Sequence, residues 1–271
     1  MATLITSRSN PAVQLAASLK DKKFRDRHGL FSVEGEKMFD ECVANRLPIA
    51  YVFVAESAKE RFLSRVDAAL ADFAGDSPMV LVLADHVFEK ISTEKSPQGI
   101  VTVVKHLDFF KKCTKIIREE ISSMGRAVIL CSMQDPGNLG AVIRSAAAFG
   151  ANTLILSEDC ADLYHSRTLR SAMGNAFRLQ AYTVSDVVGT VECLREAGRR
   201  VFAAELRDGA ASVLDVPFLE SDVLVIGNEG HGIPKEVSAA CNGSVYIPIC
   251  DGVESLNAAV AAAILMWELR R

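Results

Sequence analysis

Among the 271 residues no apolar run is long. The longest, Ala258 to Trp267, is too short to cross a bilayer, which excludes a membrane-spanning helix. MATLITSRSNP at the start has a basic residue but no apolar stretch, so no secretory signal is expected, and the cytoplasm is the expected location. No two of the seven cysteines (Cys42, Cys113, Cys131, Cys160, Cys193, Cys241 and Cys250) are spaced as C-x2-C or C-x4-C. That spacing excludes the common zinc frameworks. Their odd number and irregular intervals fit reduced thiols used as small core residues. No charge of one sign dominates: 30 Lys+Arg stand against 34 Asp+Glu, a net charge of −4, unlike a strongly basic nucleic-acid binder. Internal repeats and low-complexity tracts are also lacking.

Hydrophobic residues make up 49% and charged residues 24%, the composition of a globular chain able to bury a core without staples. The length suggests about two domains. Residues 1–105 predict a basic helix (11–23), a strand over 30–33 and a helix over 36–45, then strands over 49–55, 79–84 and 99–104. This reads as a small α/β sandwich domain. Residues 106–125 are charged and are read as a helical linker ending at Gly125. Over 126–271 strands (127–132, 152–157, 178–184, 200–206, 222–227, 244–249) alternate with helices (138–149, 166–176, 186–197, 234–241, 255–270). Continuous apolar strands such as AVILC and DVLVIG suit a parallel sheet covered on both faces. Ligands of such sheets bind beyond the carboxyl ends of the strands, so the loops after strands matter most.

Three such loops stand out. The first is Asp135-Pro136-Gly137-Asn138-Leu139-Gly140, leading into a helix. Asn138 is a candidate N-cap, and Leu139, Val142, Ile143, Ala146 and Ala147 form the apolar stripe. Arg144 projects about 140° away from Leu139, either as a surface arginine or as a functional one. The second is Gly227-Asn228-Glu229-Gly230-His231-Gly232-Ile233-Pro234, whose glycines allow a tight turn and close approach to a ligand. The third is Ile247-Pro248-Ile249-Cys250-Asp251-Gly252-Val253-Glu254-Ser255-Leu256-Asn257, ahead of a last helix with Leu256, Ala259, Val260, Ala263, Ile264 and Trp267 on one stripe. Ser255 or Asn257 is expected to cap that helix. In Arg170-Ser171-Ala172-Met173-Gly174 the glycine within a predicted helix signals close packing or a break.

Asn-x-Gly-x-x-x-Arg, Gly-Asn-Glu-x-x-Gly and Ile-Pro…Ser-Leu-Asn, in that order, resemble the SpoU (TrmH-like) family of RNA ribose 2′-O-methyltransferases in the SPOUT superfamily. Ser9-Asn10-Pro11, Phe31 to Glu36 and Pro97 to Ile100 resemble the ribosomal-protein-L30-like substrate-binding extension of many members. The resemblance implies a trefoil-knotted parallel-sheet domain, homodimeric through that domain, with S-adenosylmethionine held by the second and third motif loops. It further implies that Leu206, Gly227, Ile247, Pro248 and Leu256 hold the cofactor. Arg144 would orient and activate the ribose hydroxyl, with Asn138 and Glu229 positioning it and Ser255 and Asn257 lining the floor. No metal is implied.

Two departures from the family pattern are present. Ile249 and Asp251 stand where many relatives have methionine and glycine, and Gly252 comes one residue late; Asn175 replaces a frequent alanine. The basic residues Arg8, Lys20, Lys22, Lys23, Arg25 and Arg27, against Asp21 and Asp26, then read as an RNA-contacting patch, together with the basic linker. Ribosomal RNA is the expected substrate. Transfer RNA is the alternative, and an RNA-binding protein with an inactive methyltransferase domain a further one. A nicotinamide-dependent Rossmann enzyme shares the α/β alternation but requires G-x-G-x-x-G after the first strand, and DPGNLG lacks it.

Overall fold

Short apolar segments bounded by Gly, Pro and Asp form the strands of a computed structural model, which describes residues 4–71, 78–228 and 230–271. In chain order the elements are β1 (Leu4–Ile5), α1 (Pro11–Ser18), α2 (Lys22–His28), β2 (Leu30–Glu34), α3 (Glu36–Ala44), β3 (Ile49–Ala55), α4 (Lys59–Leu70), β4 (Met79–Leu83), α5 (Asp85–Ile91) and β5 (Ile100–Lys105). There follow β6 (Phe110–Cys113), α6 (Arg118–Ser122), β7 (Ala127–Leu130), α7 (Pro136–Phe149), β8 (Thr153–Ser157), α8 (Ser166–Ala172), β9 (Gln180–Val184), α9 (Val187–Glu196) and β10 (Val201–Ala204). The chain ends with β11 (Ala211–Ser212), β12 (Val223–Ile226), α10 (Lys235–Ala240), β13 (Gly243–Tyr246) and α11 (Ala258–Arg270).

Contacts divide the chain into two units, Met1–Leu107 with Tyr164–Phe177, and Asp108–Leu163 with Arg178–Arg271. The first unit holds a mixed sheet in the order β1-β4-β3-β5-β2, with β5 antiparallel to both its neighbours. Val13, Leu19, Phe53, Leu83, Phe88, Ile91, Val101 and Val103 form a core on one of its faces. Phe31 meets the rings of Tyr164 and Phe177, at centroid distances of 4.6 and 6.4 Å. The segment 164–177 therefore belongs to this unit, not to the second as the sequence division had it. Within it α8 breaks after Ala172, and Met173 and Gly174 take left-handed backbone (φ 55° and 84°). A Cβ on Gly174 would lie 2.4 Å from Glu41 Cγ, so both explanations for this glycine hold.

The second unit is an eight-stranded sheet, ordered β11-β13-β10-β12-β7-β8-β9-β6, with every pair parallel. β7 and β12 are buried at every residue, as apolar strands covered on both faces must be. Residues 106–125 are not a helical linker. They supply the edge strand β6 and the short α6, with the Lys111 ammonium over the Tyr182 ring and 3.2 Å from Glu120.

The last helix is turned relative to expectation. α11 buries Ala258, Ala259, Ala262, Leu265, Met266 and Leu269, while Val260 and Trp267 are each 49% exposed. Leu265 and Ala262, assigned to other faces, are core; of the predicted stripe Ala259 is buried, Leu256, Ala263 and Ile264 are half-buried, and Val260 and Trp267 face outward. All seven cysteines are free, and burial pushes the thiols of Cys131 and Cys241 up to about 12 and about 11. They are packing residues, with Cys250 exposed. No helix among the described residues is long and apolar enough to span a membrane, and no His/Cys/Asp/Glu cluster there could hold a metal.

Candidate active site

Because β13, β10, β12 and β7 are parallel and adjacent, their carboxyl ends lie along one edge of the sheet. The loops leaving them are 131–135, 205–210, 227–234 and 247–257. All three motifs, and the segment of Leu206, therefore start from neighbouring strand ends, where parallel sheets bind ligands.

The first loop is capped differently from expectation. Asp135 is the N-cap of α7, accepting a 2.8 Å bond from the Asn138 N–H, with Pro136 in the first turn. Proline has no N–H to leave unsatisfied and suits this place. Asn138, relieved of capping, is the third helical residue and is half-buried. Arg144 lies six residues on, about 9 Å along the axis at ~1.5 Å per residue. It is exposed, and among the described residues its side chain has no hydrogen-bond or ion-pair partner. A guanidinium with no partner among the described residues is available to an incoming anion or hydroxyl.

The second loop folds back on itself. Asn228 and Gly232 exchange backbone bonds of 3.1 and 2.9 Å. Asn228 Oδ1 accepts from the N–H groups of Gly230 (2.7 Å) and His231 (3.3 Å), and its Nδ2 donates to the Ser132 carbonyl (2.7 Å) beyond β7. A Cβ on Gly227 would fall 2.3 Å from Gly232 C, so only glycine fits. Glu229 lies outside the described residues.

Leu206 is 81% exposed on a backbone that is firmly held. Glu205 accepts from Ser238 Oγ (2.5 Å) and Ser244 Oγ (2.9 Å), and Arg207 donates to Ser238 Oγ (3.0 Å). The Glu205 N–H donates to the Val245 carbonyl, two residues before Ile247 (2.9 Å). Ile247 and Leu256 are half-buried, and Pro248 is exposed. Apolar side chains open at a strand-end edge fit a flat apolar ring better than they fit water. In the third loop Gly252 (φ 85°) is the third residue of a turn closed from Val253 N–H to the Cys250 carbonyl (3.3 Å), a place that requires positive φ. Ser255 is exposed, with no side-chain partner among the described residues.

Asn257 ties the third motif to the first. Its Oδ1 caps α11, accepting from Ala259 N–H (3.0 Å) and Val260 N–H (3.3 Å), and its Nδ2 donates to Asn138 Oδ1 (3.3 Å). Asn257→Ala removes both. Chemical unfolding should show a loss of about 1 kcal/mol from the cap, and the bond between the third motif and Asn138 Oδ1 is cut. An unchanged midpoint in urea would mean the cap contributes nothing.

The basic residues of the first unit are only partly available. Arg25 is buried and donates to the Leu19 (2.8 Å) and Lys20 (2.9 Å) carbonyls. Lys20 donates to the Lys90 and Ser92 carbonyls, with burial lowering its pKa, and Arg8 donates to the His86 carbonyl. Lys22, Lys23 and Arg27 are exposed on α2. Two of the three segments that carry the resemblance in this unit meet: Glu36 N–H donates to Gln98 Oε1 (3.0 Å), and Gly35 N–H to the Ile100 carbonyl (3.0 Å).

Residues 125–267 match the family model of the SpoU rRNA Methylase family, and residues 10–102 that of an MRM3-like substrate binding domain. The chain is 29% identical to the 23S rRNA (guanosine(2553)-2′-O)-methyltransferase RlmP of Bacillus subtilis (strain 168), over 98% of each chain. It resembles the AdoMet-bound rRNA methyltransferase of Sinorhizobium meliloti (TM-score 0.82, 27% identity, 99% and 97% of the two chains). It also resembles the SpoU methyltransferase AviRb of Streptomyces viridochromogenes in complex with AdoMet (TM-score 0.80, 27% identity, 96% and 97%).

Proposed function

The chain belongs to the SpoU rRNA Methylase family, and from that premise we propose that it methylates a ribose 2′-hydroxyl of ribosomal RNA, with S-adenosylmethionine as donor. One observation carries the reading. The motif segments leave adjacent parallel strand ends, and the first and third are joined by the Asn257–Asn138 bond.

S-adenosylmethionine supplies a methyl group on a sulfonium, already a good leaving group. The residues that would hold it are Leu206, Gly227, Ile247, Pro248 and Leu256. The tight backbone at Gly227 and the open apolar side chain of Leu206 suit an adenosine. The chain's own task is the ribose hydroxyl, which is weakly acidic and must lose its proton as it attacks. A guanidinium is effectively always protonated, so Arg144 acts by charge, orienting the hydroxyl or a neighbouring phosphate and stabilising developing alkoxide. Asn138, with its amide oriented by Asn257, and Glu229 position that group, and Ser255 lines the floor. The loops after β12 and β13 are read as the family's trefoil knot. The strand order supports this, since β13 lies beyond β10 from β12.

The outward stripe of α11, with Val260 and Trp267 each 49% exposed and Ile264 half-buried between them, supports a homodimer through this domain. Lys22, Lys23 and Arg27 are read as phosphate contacts that make RNA binding salt-sensitive. A cytoplasmic location accords with this substrate.

The test is transfer of labelled methyl from S-adenosylmethionine into undermodified ribosomal RNA, with nucleoside analysis. Label in a 2′-O-methylated nucleoside is expected. Label only in transfer RNA would move the substrate. RNA binding without transfer would make the protein an inactive RNA binder.

A further inference from the structure

The loop carrying Gly227 is braced from a segment that none of the three motifs includes. Asp159 lies two residues beyond the end of β8. Its Oδ2 accepts from Ser132 Oγ (2.5 Å) and its Oδ1 from Ser157 Oγ (2.5 Å). Ser157 Oγ also accepts from the backbone N–H of Ser132 (2.8 Å). Ser132 is thus gripped at its side chain and its main chain. The grip has a conformation to hold, because Ser132 has φ 55°. A residue with a Cβ is disfavoured there.

In that conformation the Ser132 carbonyl accepts the 2.7 Å bond from Asn228 Nδ2. Asn228 in turn holds the N–H groups of Gly230 and His231 on its Oδ1 and pairs its backbone with Gly232. Cys160 adds a parallel tie, accepting from Met133 N–H at 3.3 Å. Ser132 and Met133 also open the loop that leads to Asp135 and α7. One carboxylate therefore stands behind both the first and the second motif. Burial pushes the Asp159 carboxyl up, but the Ser132 and Ser157 hydroxyls outweigh it and hold the group below the usual carboxylate range. It remains an acceptor on both oxygens at neutral pH.

We propose that Asp159 is a positioning residue for methyl transfer: by fixing Ser132 it sets Asn228, and with it the Gly227–Gly232 loop. The assignment rests on the reading above that this loop borders the reacting groups. An asparagine at 159 places an amide N–H donor where one of the two carboxylate oxygens now accepts, so one of the two hydroxyls loses its acceptor there.

The experiment compares full-length wild type with Asp159→Asn, Ser132→Ala and the double variant. Amide hydrogen exchange is read alongside steady-state methyl transfer. Exchange at Gly230, His231 and Gly232 is expected to quicken about tenfold in each variant, with the α11 amides unchanged. Turnover is expected to fall about tenfold or more with KM for RNA unchanged, as a displaced catalytic loop requires. The double variant should be no worse than the singles, because both cut one chain of bonds. Unchanged exchange at 230–232 would overturn the assignment. Faster exchange with wild-type turnover would do so as well, as would additive losses. Quicker exchange in α11 too would reduce Asp159 to a general stabiliser, which also overturns it. A wild type that transfers no methyl would instead remove the functional reading, while the exchange data still decide whether Asp159 holds the loop.

Discussion

Arg144→Ala should lower methyl-transfer turnover by about 10²–10³-fold, the scale on which a single preorganised charge contact acts in a transition state. The melting temperature should not move, because the side chain is exposed and has no partner among the described residues. Cofactor affinity should also hold, since none of the segments assigned to the cofactor includes α7. Arg144→Lys is the sharper variant. It keeps the charge and loses the planar fork, so a loss nearly as deep is expected if two donors act together. Near-full activity in the lysine variant, measured at saturating RNA and cofactor, would sink the orienting role.

Gly227→Val is expected to abolish measurable cofactor binding by calorimetry. The new Cβ would lie 2.3 Å from Gly232 C, 2.4 Å from Gly232 O and 2.6 Å from Ile233 N. All three are backbone atoms of the turn that Asn228 closes, so none can swing aside as a flexible side chain would. Relieving the clash has to displace the turn itself, and overpacking adds about 1–3 kcal/mol of destabilisation. Gly230→Ala is the matched control within the same loop. Its Cβ would meet only Asn228 Oδ1, at 3.4 Å, and should leave affinity within about twofold. Equal affinities for both variants would mean that this turn does not border the cofactor.

How far the fold is legible depends on how one-sided each segment's environment is. β3 lies where the apolar run Ile49–Ala55 predicts it, and over residues 126–271 strands and helices follow the expected order with β11 added. Strands buried on both faces have little freedom to be anything else. The stretch 106–125 misleads because β6 is an edge strand, and edges carry lysines toward water. Lys111 and Lys112 there look like a solvated helix face. α11 misleads for the opposite reason. With nearly every residue apolar, spacing cannot choose which face is buried, and the packing of α11 on α7 decides it.

At the site, the motif residues are visible in the sequence but their geometry is not. Asp135 takes the cap expected of Asn138, and Pro136 immediately after it was the available signal. Ser132, Asp159 and Asn228 find one another across 27 and 96 residues of chain. No local pattern connects them, since each is a common loop residue on its own.

The excursion of residues 164–177 into the first unit sets an order of events during synthesis. A ribosome that has released residue 107 has not yet made Tyr164 or Phe177, the rings against which Phe31 packs. The N-terminal part must wait, incomplete, while β6, β7, α7 and β8 emerge. Its final closure therefore coincides with the early assembly of the parallel sheet. The two maturation steps are linked in time, and a nascent chain stalled between residues 107 and 164 would expose the Phe31 surface to chaperones.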